Sequence, residues 1–573
     1  MPVHNSDVTN ALNSLADLAE INGANEFRVR AYRDAAQTID GLPRNLSEMV
    51  AEGEDLSELP GIGESIAEKI EEIVQTGRLK QLERLQKKVP GELRELLAVP
   101  GLGPKRVKLL HDHLGIEDRD DLAAAARDGR VRQLKGLGPK TEQKILDELE
   151  KDGDRETRFR LIEVEEVAEV LLDFLRNVDG VKQAVIAGSY RRRKETVGDL
   201  DILLTCKRDS PVMNRFAEYD DVDEVISKGK TRASVRLRNE LQVDLRVVPE
   251  VSYGAALHYF TGSKGHNIAV RKMGVGKDLK INEYGVFRGD ERVAGRTEEE
   301  VYEQVDLPYI APEMREARGE IDAAQQDGLP TLITRDDIRG DLHCHTKASD
   351  GKYSLAEMAE AAQERGYEYL ANTEHSQRLT VARGLDEKRL REQMDEIDQL
   401  NEQRSGMRLL KGIECDILED GSLDLADEVL AELDVVVCAI HSKLELPADK
   451  QTERVMRAMD NPHFHILAHP TGRMIGQRDP YELDMERTIE AALERGCYLE
   501  VNAQPERLDL NDAHCKLAKD MGLKLVISTD SHTTTSLEYI RYGIDQARRG
   551  WLEPDDVINT RSWDELNELL VRS

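Results

Sequence analysis

The spacing of apolar positions changes twice along the chain, and each change marks a different kind of structure. Up to about residue 155, apolar residues recur at helical intervals, and three segments repeat one pattern: LPGIGESIAEKI from Leu59, VPGLGPKRVKLL from Val99 and LKGLGPKTEQKI from Leu134. In each, an apolar residue leads into Gly-x-Gly and a helical stripe follows, as Ile66 with Ile70 and Val107 with Leu110. The spacing predicts a helical first third, built of short helix pairs. From about residue 155 the texture becomes one helix, RLIEVEEVAEVLLDFLRNV, followed by the strands KQAVIAGSY, DLDILLTC, TRASVRLRNE and LQVDLRVVPE, an α+β arrangement. Residues 312 to 338 are charged and helix-prone, punctuated by Gly328, Pro330 and Gly340, and are predicted to hold the main linker. Beyond it, apolar runs at 339–345, 367–375, 408–415, 434–441, 464–469, 497–503 and 523–530 alternate with helical stretches such as SLAEMAEAAQERG and DMERTIEAALERG. Regular alternation of this kind predicts a parallel α/β sheet closed into a βα barrel.

Composition narrows the setting. A chain of 573 residues is long enough for three or four domains at roughly 100 to 200 residues each. No run approaches the ~18 apolar residues of a membrane span, and the first residues lack the basic-then-apolar pattern of a secretion signal, so a cytoplasmic protein with no membrane contact is expected. The six cysteines, Cys206, Cys344, Cys415, Cys438, Cys497 and Cys515, show no CxxC spacing and are read as reduced packing residues. The net charge of -32, from 112 acidic against 80 basic residues, argues against a nucleic-acid partner. Molar salt reconciles the two by cutting the screening length to about 3 Å. A halophilic source then stands beside an ordinary acidic one.

The candidate chemistry points to DNA all the same. A Gly-x-Gly turn lets the backbone approach a phosphate whose charge meets free N–H groups at the next helix start. Gly61 and Gly63, Gly101 and Gly103, and Gly136 and Gly138 are therefore candidate DNA contacts, with Lys105 and Lys140 adding charge. Lys69, beyond the first turn, carries an amine suited to attack an abasic-site aldehyde, although Glu68 and Glu71 favour its charged form.

In AGSYRRRKETVGDLDILLT, Asp199 and Asp201 lie two apart on a strand and so share one face. A carboxylate pair of this kind suits two magnesium ions that activate a 3′-hydroxyl and bridge a triphosphate. In LQVDLRVV, Leu241, Val243, Leu245 and Val247 alternate into the core, which leaves Asp244 as the third carboxylate and Arg246 on the same outer face. Gly188 and Ser189 form a turn able to cradle phosphate, with Arg192 placed to neutralise it.

The last 236 positions hold another constellation. His343 and His345 share a strand face, Asp350 follows, and His375, Glu414, His441, His469, Asp530 and His532 each fall at or just past the end of a predicted strand. In a βα barrel those ends meet on one rim. Nine mixed histidine and carboxylate ligands suit two or three Mn²⁺, Zn²⁺ or Fe²⁺ ions, enough to activate water for phosphoester hydrolysis. His463 and His465 are read as structural.

Residues 1 to about 318 resemble the family X DNA polymerases of the polymerase beta type: the Gly188-Ser189 turn, Asp199-Leu200-Asp201, Asp244, the thumb motif from Tyr259 to Ser263 and INEYG from Ile281 all match. The resemblance implies Mg²⁺- or Mn²⁺-dependent, template-directed filling of gapped or nicked DNA from dNTPs. It also implies nucleotide contacts from Gly198, Tyr259, Phe260, Gly262 and Asn267, DNA contacts from Arg246 and Arg271, and Lys69 as a lyase nucleophile. Val197 and Ser65 depart from the pattern, standing where the family has a serine and a lysine. Residues 338 to 573 are similar to the PHP domain, which implies a metal-dependent 3′–5′ exonuclease or 3′-end-processing phosphodiesterase, with abasic-site cleavage as a further activity. The domains expected are a lyase-like helix-hairpin-helix domain (1–90), fingers (91–155), nucleotidyltransferase palm (156–250), thumb (251–318), linker (319–337) and a (βα)7-like PHP barrel (338–573), in a monomer. A small-molecule or pyrophosphate phosphatase localised by a DNA-binding half, and a non-enzymatic repair scaffold, are the rival readings.

Overall fold

The computed structural model describes residues 5–572 except 41, 43, 45, 87, 89–95, 97, 98, 100, 101, 117, 135, 136, 139, 140, 144 and 147–157. The chain divides into two compact units, Met1–Thr157 and Arg158–Ser573. Among the described residues no helix is long and apolar enough to cross a membrane.

The first unit is helical, with α1 (Asn5–Ile21), α2 (Glu26–Asp40), α3 (Leu46–Glu52), α4 (Glu64–Thr76), α5 (Lys80–Gln86), α6 (Pro104–Leu114) and α7 (Arg119–Arg127). Two apolar cores form around α1: Leu12 and Leu15 pack with Tyr32, Ile39, Ile66 and Ile70, while Leu18 and Ile21 at its end pack with Val107, Leu110 and Leu122. The described residues of the three sequence repeats share one set of main-chain bonds. Ile62, Leu102 and Leu137 each donate a main-chain bond three residues back, to Leu59, Val99 and Leu134. Gly63, Gly103 and Gly138 then each accept from two N–H groups of the following turn. The apolar residue between the glycines is buried every time, while Gly61, Gly63, Gly103 and Gly138 are exposed, so each repeat plugs its apolar residue into a core.

In the second unit, α8 (Leu161–Arg176) buries the stripe Leu161, Val164, Ala168, Leu171 and Leu175, the spacing of one helix face. It covers a five-stranded sheet made of β1 (Val181–Ile186), β2 (Asp199–Cys206), β3 (Val222–Lys228), β4 (Arg232–Leu237) and β5 (Gln242–Val247) in the order β1-β2-β5-β4-β3. Edge strand β3 is too polar to be foreseen from its apolar content. Only the β2–β5 pair is parallel. The helices α9 (Tyr253–Thr261) and α10 (Lys264–Val275) follow, with a small antiparallel sheet of β6 (Lys280–Asn282), β7 (Gly285–Arg288) and β8 (Glu291–Ala294).

The C-terminal part is a parallel barrel of seven strands in sequential order: β9 (Gly340–Asp341), β10 (Tyr369–Asn372), β11 (Arg408–Asp416), β12 (Val435–Ala439), β13 (Ile466–Leu467), β14 (Tyr498–Asn502) and β15 (Leu525–Ser528). A bridge between Cys344 and Ser531 joins the first and last strands. The two helical stretches quoted above form α11 (Leu355–Glu364) and α12 (Met485–Arg495). Tyr369, Ala371, Leu410, Val435, Val437, Ile466 and Val526 make one interior cluster, capped by Leu566 and Leu570 of the last helix, α14 (Trp563–Leu570). The alternate residues Leu370, Leu409, Ile413, Val436, Leu499 and Ile527 face the surrounding helices.

The segment expected to be a linker is packed on both sides. Glu320 is fully buried, its Oε1 2.7 Å from His266 Nδ1, while Ile333 belongs to the core of the barrel. The barrel also docks on the palm: Leu508 and Tyr542 lie in the palm's own core. Arg193 bridges Glu165 and Asp545 at 3.0 and 2.7 Å, Arg473 reaches Glu195 at 2.6 Å, and Arg549 joins Glu316 to Asp512. Asp545 and Arg549 lie on α13 (Ile540–Arg549). Five cysteines are buried, Cys206 is partly so, and all six are free thiols.

Candidate active sites

The strand register assembles the carboxylates. Leu200, Ile202 and Leu204 of β2 and Val243 and Leu245 of β5 are buried in one core, so the intervening aspartates project from the opposite face. Asp201 stands directly across from Asp244, and Asp199 across from Gln242. Burial together with the charges of Asp199 and Asp244 pushes the Asp201 carboxyl up to about 7. Crowded acids on one face form a site whose charge calls for a cation.

The turn before β2 closes on the same carboxylate. Gly188 has φ +62°, and a Cβ there would lie 3.0 Å from Asp201 Oδ2. Ala187 N–H donates to the Asp201 carbonyl at 2.7 Å. Ser189 is half-buried in this turn, and Gly198 sits immediately before Asp199. Arg192 is turned elsewhere: its Nε donates to Glu316 at 3.0 Å and its Nη1 to the Thr261 carbonyl. In the thumb, Asn267 donates to the Tyr259 carbonyl at 2.7 Å while its Oδ1 is buried without a hydrogen-bond partner. Arg246 stacks 4.3 Å from the centre of the Phe260 ring, Gly262 lies beside Arg192, and Arg271 is exposed on α10.

Gly61, Gly63, Gly103, Lys105 and Gly138 are exposed in their hairpins, whereas Gly101, Gly136 and Lys140 lie outside the described residues. Gly61 has φ +76°, a conformation that favours glycine. Lys69 Nζ donates to the Ser65 hydroxyl at 3.0 Å and to its carbonyl.

On the barrel, interior positions lead to ligand-type side chains near the end of β11 and just past the ends of the other strands. Leu410 leads through Gly412 to Glu414, Val437 through Ala439 to His441, Ala371 through Thr373 to His375, and Val526 through Ser528 to Asp530. Glu414 is the hub. Its Oε2 lies 2.6 Å from His375 Nδ1 and 3.6 Å from both His343 Nε2 and His345 Nε2; its Oε1 lies 3.0 Å from His469 and 3.3 Å from His441. Asp350 bridges His375 and His532 at 3.4 and 3.3 Å, and Asp530 lies 3.2 Å from His345. Three groups have ligand atoms within 4.8 Å of one another: His345, Asp350, His375 and His532; His343, His345 and Asp530; and His375, Glu414 and His441.

These residues fit divalent ions. His343 Nε2 and both ring nitrogens of His345 are buried with no hydrogen-bond partner among the described residues, an expensive state for a polar atom. Burial opposes the charge on His375, His441 and His532, yet neighbouring carboxylates raise them to about 10, 9 and 9. Burial first, then His532 and His375, lowers His345 to about 3. Metal ions binding such a cluster displace the protons that otherwise balance its carboxylates. His469 and Asp530 also have positive φ, a strain of roughly 1–3 kcal/mol each that surrounding structure must hold.

Sequence reasoning missed the residues that orient these ligands. Glu500 Oε1 lies 2.7 Å from His343 Nδ1, its Oε2 accepts the His469 N–H, and Asp416 lies 2.9 Å from His441 Nδ1. A carboxylate behind a metal-binding imidazole fixes its tautomer and raises its basicity. The signal was present: Glu500 is a carboxylate inside the predicted strand 497–503, and Asp416 is two residues beyond Glu414. Glu374 holds the Asp350 loop by accepting from the N–H and hydroxyl groups of Thr346 and Ser349. His465 Nδ1 accepts from Val436 N–H at 2.9 Å, a structural bond.

Family models agree with this geometry: a helix-hairpin-helix domain matches residues 3–79, a SAM-like helix-hairpin-helix tandem 93–151, the DNA polymerase beta palm 160–250, the polymerase beta thumb 256–316 and a PHP domain 341–504. The chain is 40% identical, over the whole of both chains, to the DNA polymerase/3′-5′ exonuclease PolX of Bacillus subtilis. It is 29% identical to a probable phosphatase of Thermoanaerobacter sp., covering 38% of this chain and 89% of that protein. It is 26% identical to DNA polymerase lambda of Rattus norvegicus, covering 55% of this chain and 56% of that one.

Proposed function

The chain belongs to the PolX family of DNA polymerases with a 3′–5′ exonuclease, and from that premise we propose how its two centres divide the work. It is a metal-dependent repair enzyme that extends DNA at one centre and hydrolyses phosphoesters at the other. The observation that carries the first assignment is Asp201 facing Asp244 across a parallel strand pair, with Asp199 on the same face.

Asp199, Asp201 and Asp244 would hold two Mg²⁺ or Mn²⁺ ions, which supply a more acidic 3′-hydroxyl and charge neutralisation at the triphosphate. The Gly188–Ser189 turn offers main-chain N–H groups to that triphosphate. The buried Asn267 Oδ1, with Tyr259 and Phe260 at the end of α9, is suited to receive the sugar and base. The hairpin glycines grip phosphates without reading sequence, which suits gapped DNA. In the reaction, the 3′-oxygen bonds to the α-phosphorus as the bond to pyrophosphate breaks.

At the barrel, His343, His345, Asp350, His375, Glu414, His441, His469, Asp530 and His532 would hold two or three Mn²⁺, Zn²⁺ or Fe²⁺ ions, which supply an activated water. Glu500 and Asp416 orient the imidazoles. The seam between barrel and palm supports trimming of a 3′ end before extension. The likeness to a probable phosphatase favours a second reading, cleavage of small phosphate esters. Lys69 is the residue to examine for abasic-site lyase chemistry, by borohydride trapping on an incised abasic substrate.

The deciding experiment compares primer extension and primer digestion for the wild type, Asp244→Ala and His343→Ala. Loss of extension alone in the first and digestion alone in the second is the expected result. Cleavage confined to small esters would favour the phosphatase reading, and absence of both activities a scaffold.

A further inference from the structure

A cavity of about 340 Å³ opens beside the barrel rim, with Lys352, Met474, Arg507, Asp530, His532 and Tyr539 in its lining. Small-ligand sites span roughly 300–1,000 Å³, so this one has room for a single nucleotide. Two candidate metal ligands, Asp530 and His532, share the lining, and an occupant therefore touches the rim directly.

Two cations stand beside them. Arg507 is half-buried, and its Nε reaches Asp530 Oδ2 only at 4.0 Å. Lys352 is exposed, and its main-chain N–H donates to the His532 carbonyl at 2.9 Å, which fixes it next to that ligand. The remaining wall includes the thioether of Met474 and the ring of Tyr539, surfaces on which a base can pack. Tyr539 and Ile475, the neighbour of Met474, also pack against the palm core, and Glu506 in the same lining pairs with Arg160 at 2.9 Å. The cavity thus lies on the side of the barrel that faces the palm. In a chain of net charge -32, a pair of cations at an acidic rim offsets the repulsion that a phosphate would otherwise meet.

We propose that this cavity seats the 3′-terminal nucleotide of the strand being digested, with Arg507 and Lys352 on the oxygens of the phosphate under attack and Met474 and Tyr539 against its base. The assignment rests on the exonuclease reading of the rim. In that hydrolysis the water oxygen bonds to phosphorus and the bond from phosphorus to the penultimate O3′ breaks. One water proton ends on that O3′, and the terminal residue departs as a 5′-monophosphate. A guanidinium and an ammonium on the phosphate oxygens hold the charge that the substrate already carries, through charge-assisted hydrogen bonds.

The test uses the full chain with Mn²⁺ and a single strand ending in 4-thiothymidine, its last linkage a phosphorothioate to slow cleavage. After irradiation, adducts are expected on peptides containing Met474 or Tyr539, and 5′-dTMP should compete them away. In parallel, Arg507→Gln and Lys352→Gln should raise KM for digestion about tenfold to a hundredfold, as loss of a charge-assisted contact does. Extension by the same variants should stay within about twofold, and Arg507→Lys should recover part of the loss. Adducts only elsewhere in the chain, or a loss confined to kcat, would overturn the proposal. If the wild type digests no strand, the exonuclease reading fails on its own, and the adduct map still decides whether the cavity receives a 3′ end.

Discussion

Asp201 and Asp244 face each other across two parallel neighbouring strands, and the crowding of Asp201 by Asp199 and Asp244 raises its carboxyl to about 7. Removing one acid should relieve repulsion while destroying the site. Asp244→Asn is expected to unfold at least as late as the wild type in EDTA, gaining on the order of 1 kcal/mol. Saturating Mn²⁺, by contrast, should stabilise the wild type further through binding to the folded state. Thermal unfolding with and without metal checks this. A variant that is destabilised in EDTA would show that Asp244 serves folding instead.

A side chain at Gly188 is strained, because φ is +62° and a Cβ would press on Asp201 Oδ2 at 3.0 Å. Gly188→Ala should lose primer extension by about tenfold or more, from roughly 1–2 kcal/mol of strain and displaced carboxylate. Digestion by the barrel should be unchanged. Parallel assays on one preparation separate the two.

Glu500 holds His343 from behind and is not among the expected ligands. Glu500→Gln should weaken metal binding at the barrel by about 10–100-fold and lower digestion at limiting Mn²⁺, with recovery at high Mn²⁺. A metal titration followed by calorimetry reads the affinity directly, and an unchanged isotherm would remove Glu500 from that role.

Glu316 joins the palm side to the barrel through Arg192 and Arg549. Burial favours its neutral form, but Arg549, Arg192 and Lys194 outweigh burial and hold the carboxyl down at about 2 against an ordinary 4.5. A carboxyl lowered by folding contributes stability that is complete above about pH 4.5 and lost as pH falls toward 2. Urea unfolding of the wild type should therefore weaken across that window by on the order of 3 kcal/mol more than that of Glu316→Gln. Equal pH slopes would exclude this cluster as a source of acid sensitivity.

The hairpins should bind DNA without regard to sequence. Lys105→Ala is expected to reduce the slope of log affinity against log salt by about 0.9, equally on unrelated sequences. Fluorescence anisotropy at several salt concentrations measures it.

Much of this protein could be read one residue at a time. The three Gly-x-Gly repeats, the period-two pairs Asp199–Asp201 and His343–His345, and the seven apolar strands are all local patterns, because strand and helix periods decide which side chains share a face. The polar edge strand β3 escaped notice since Asp223, Glu224 and Lys228 interrupt its alternation. The charged region before the barrel is less legible. Arg315, Glu316, Arg318 and Glu320 look like a solvated charged stretch, yet each has a partner brought from elsewhere: Glu298, Arg549, Asp512 and His266.

By itself, then, the sequence determined the kinds of elements, the residue types at both centres and the family, since each depends on neighbours a few positions away. Tertiary structure alone decided that Asp244 meets Asp201, that Glu500 and Asp416 stand behind the rim histidines, and that Arg192 turns to Glu316. Those relationships depend on strand register, barrel closure and the docking of barrel on palm, where partners tens to hundreds of residues apart are selected by the burial of charge.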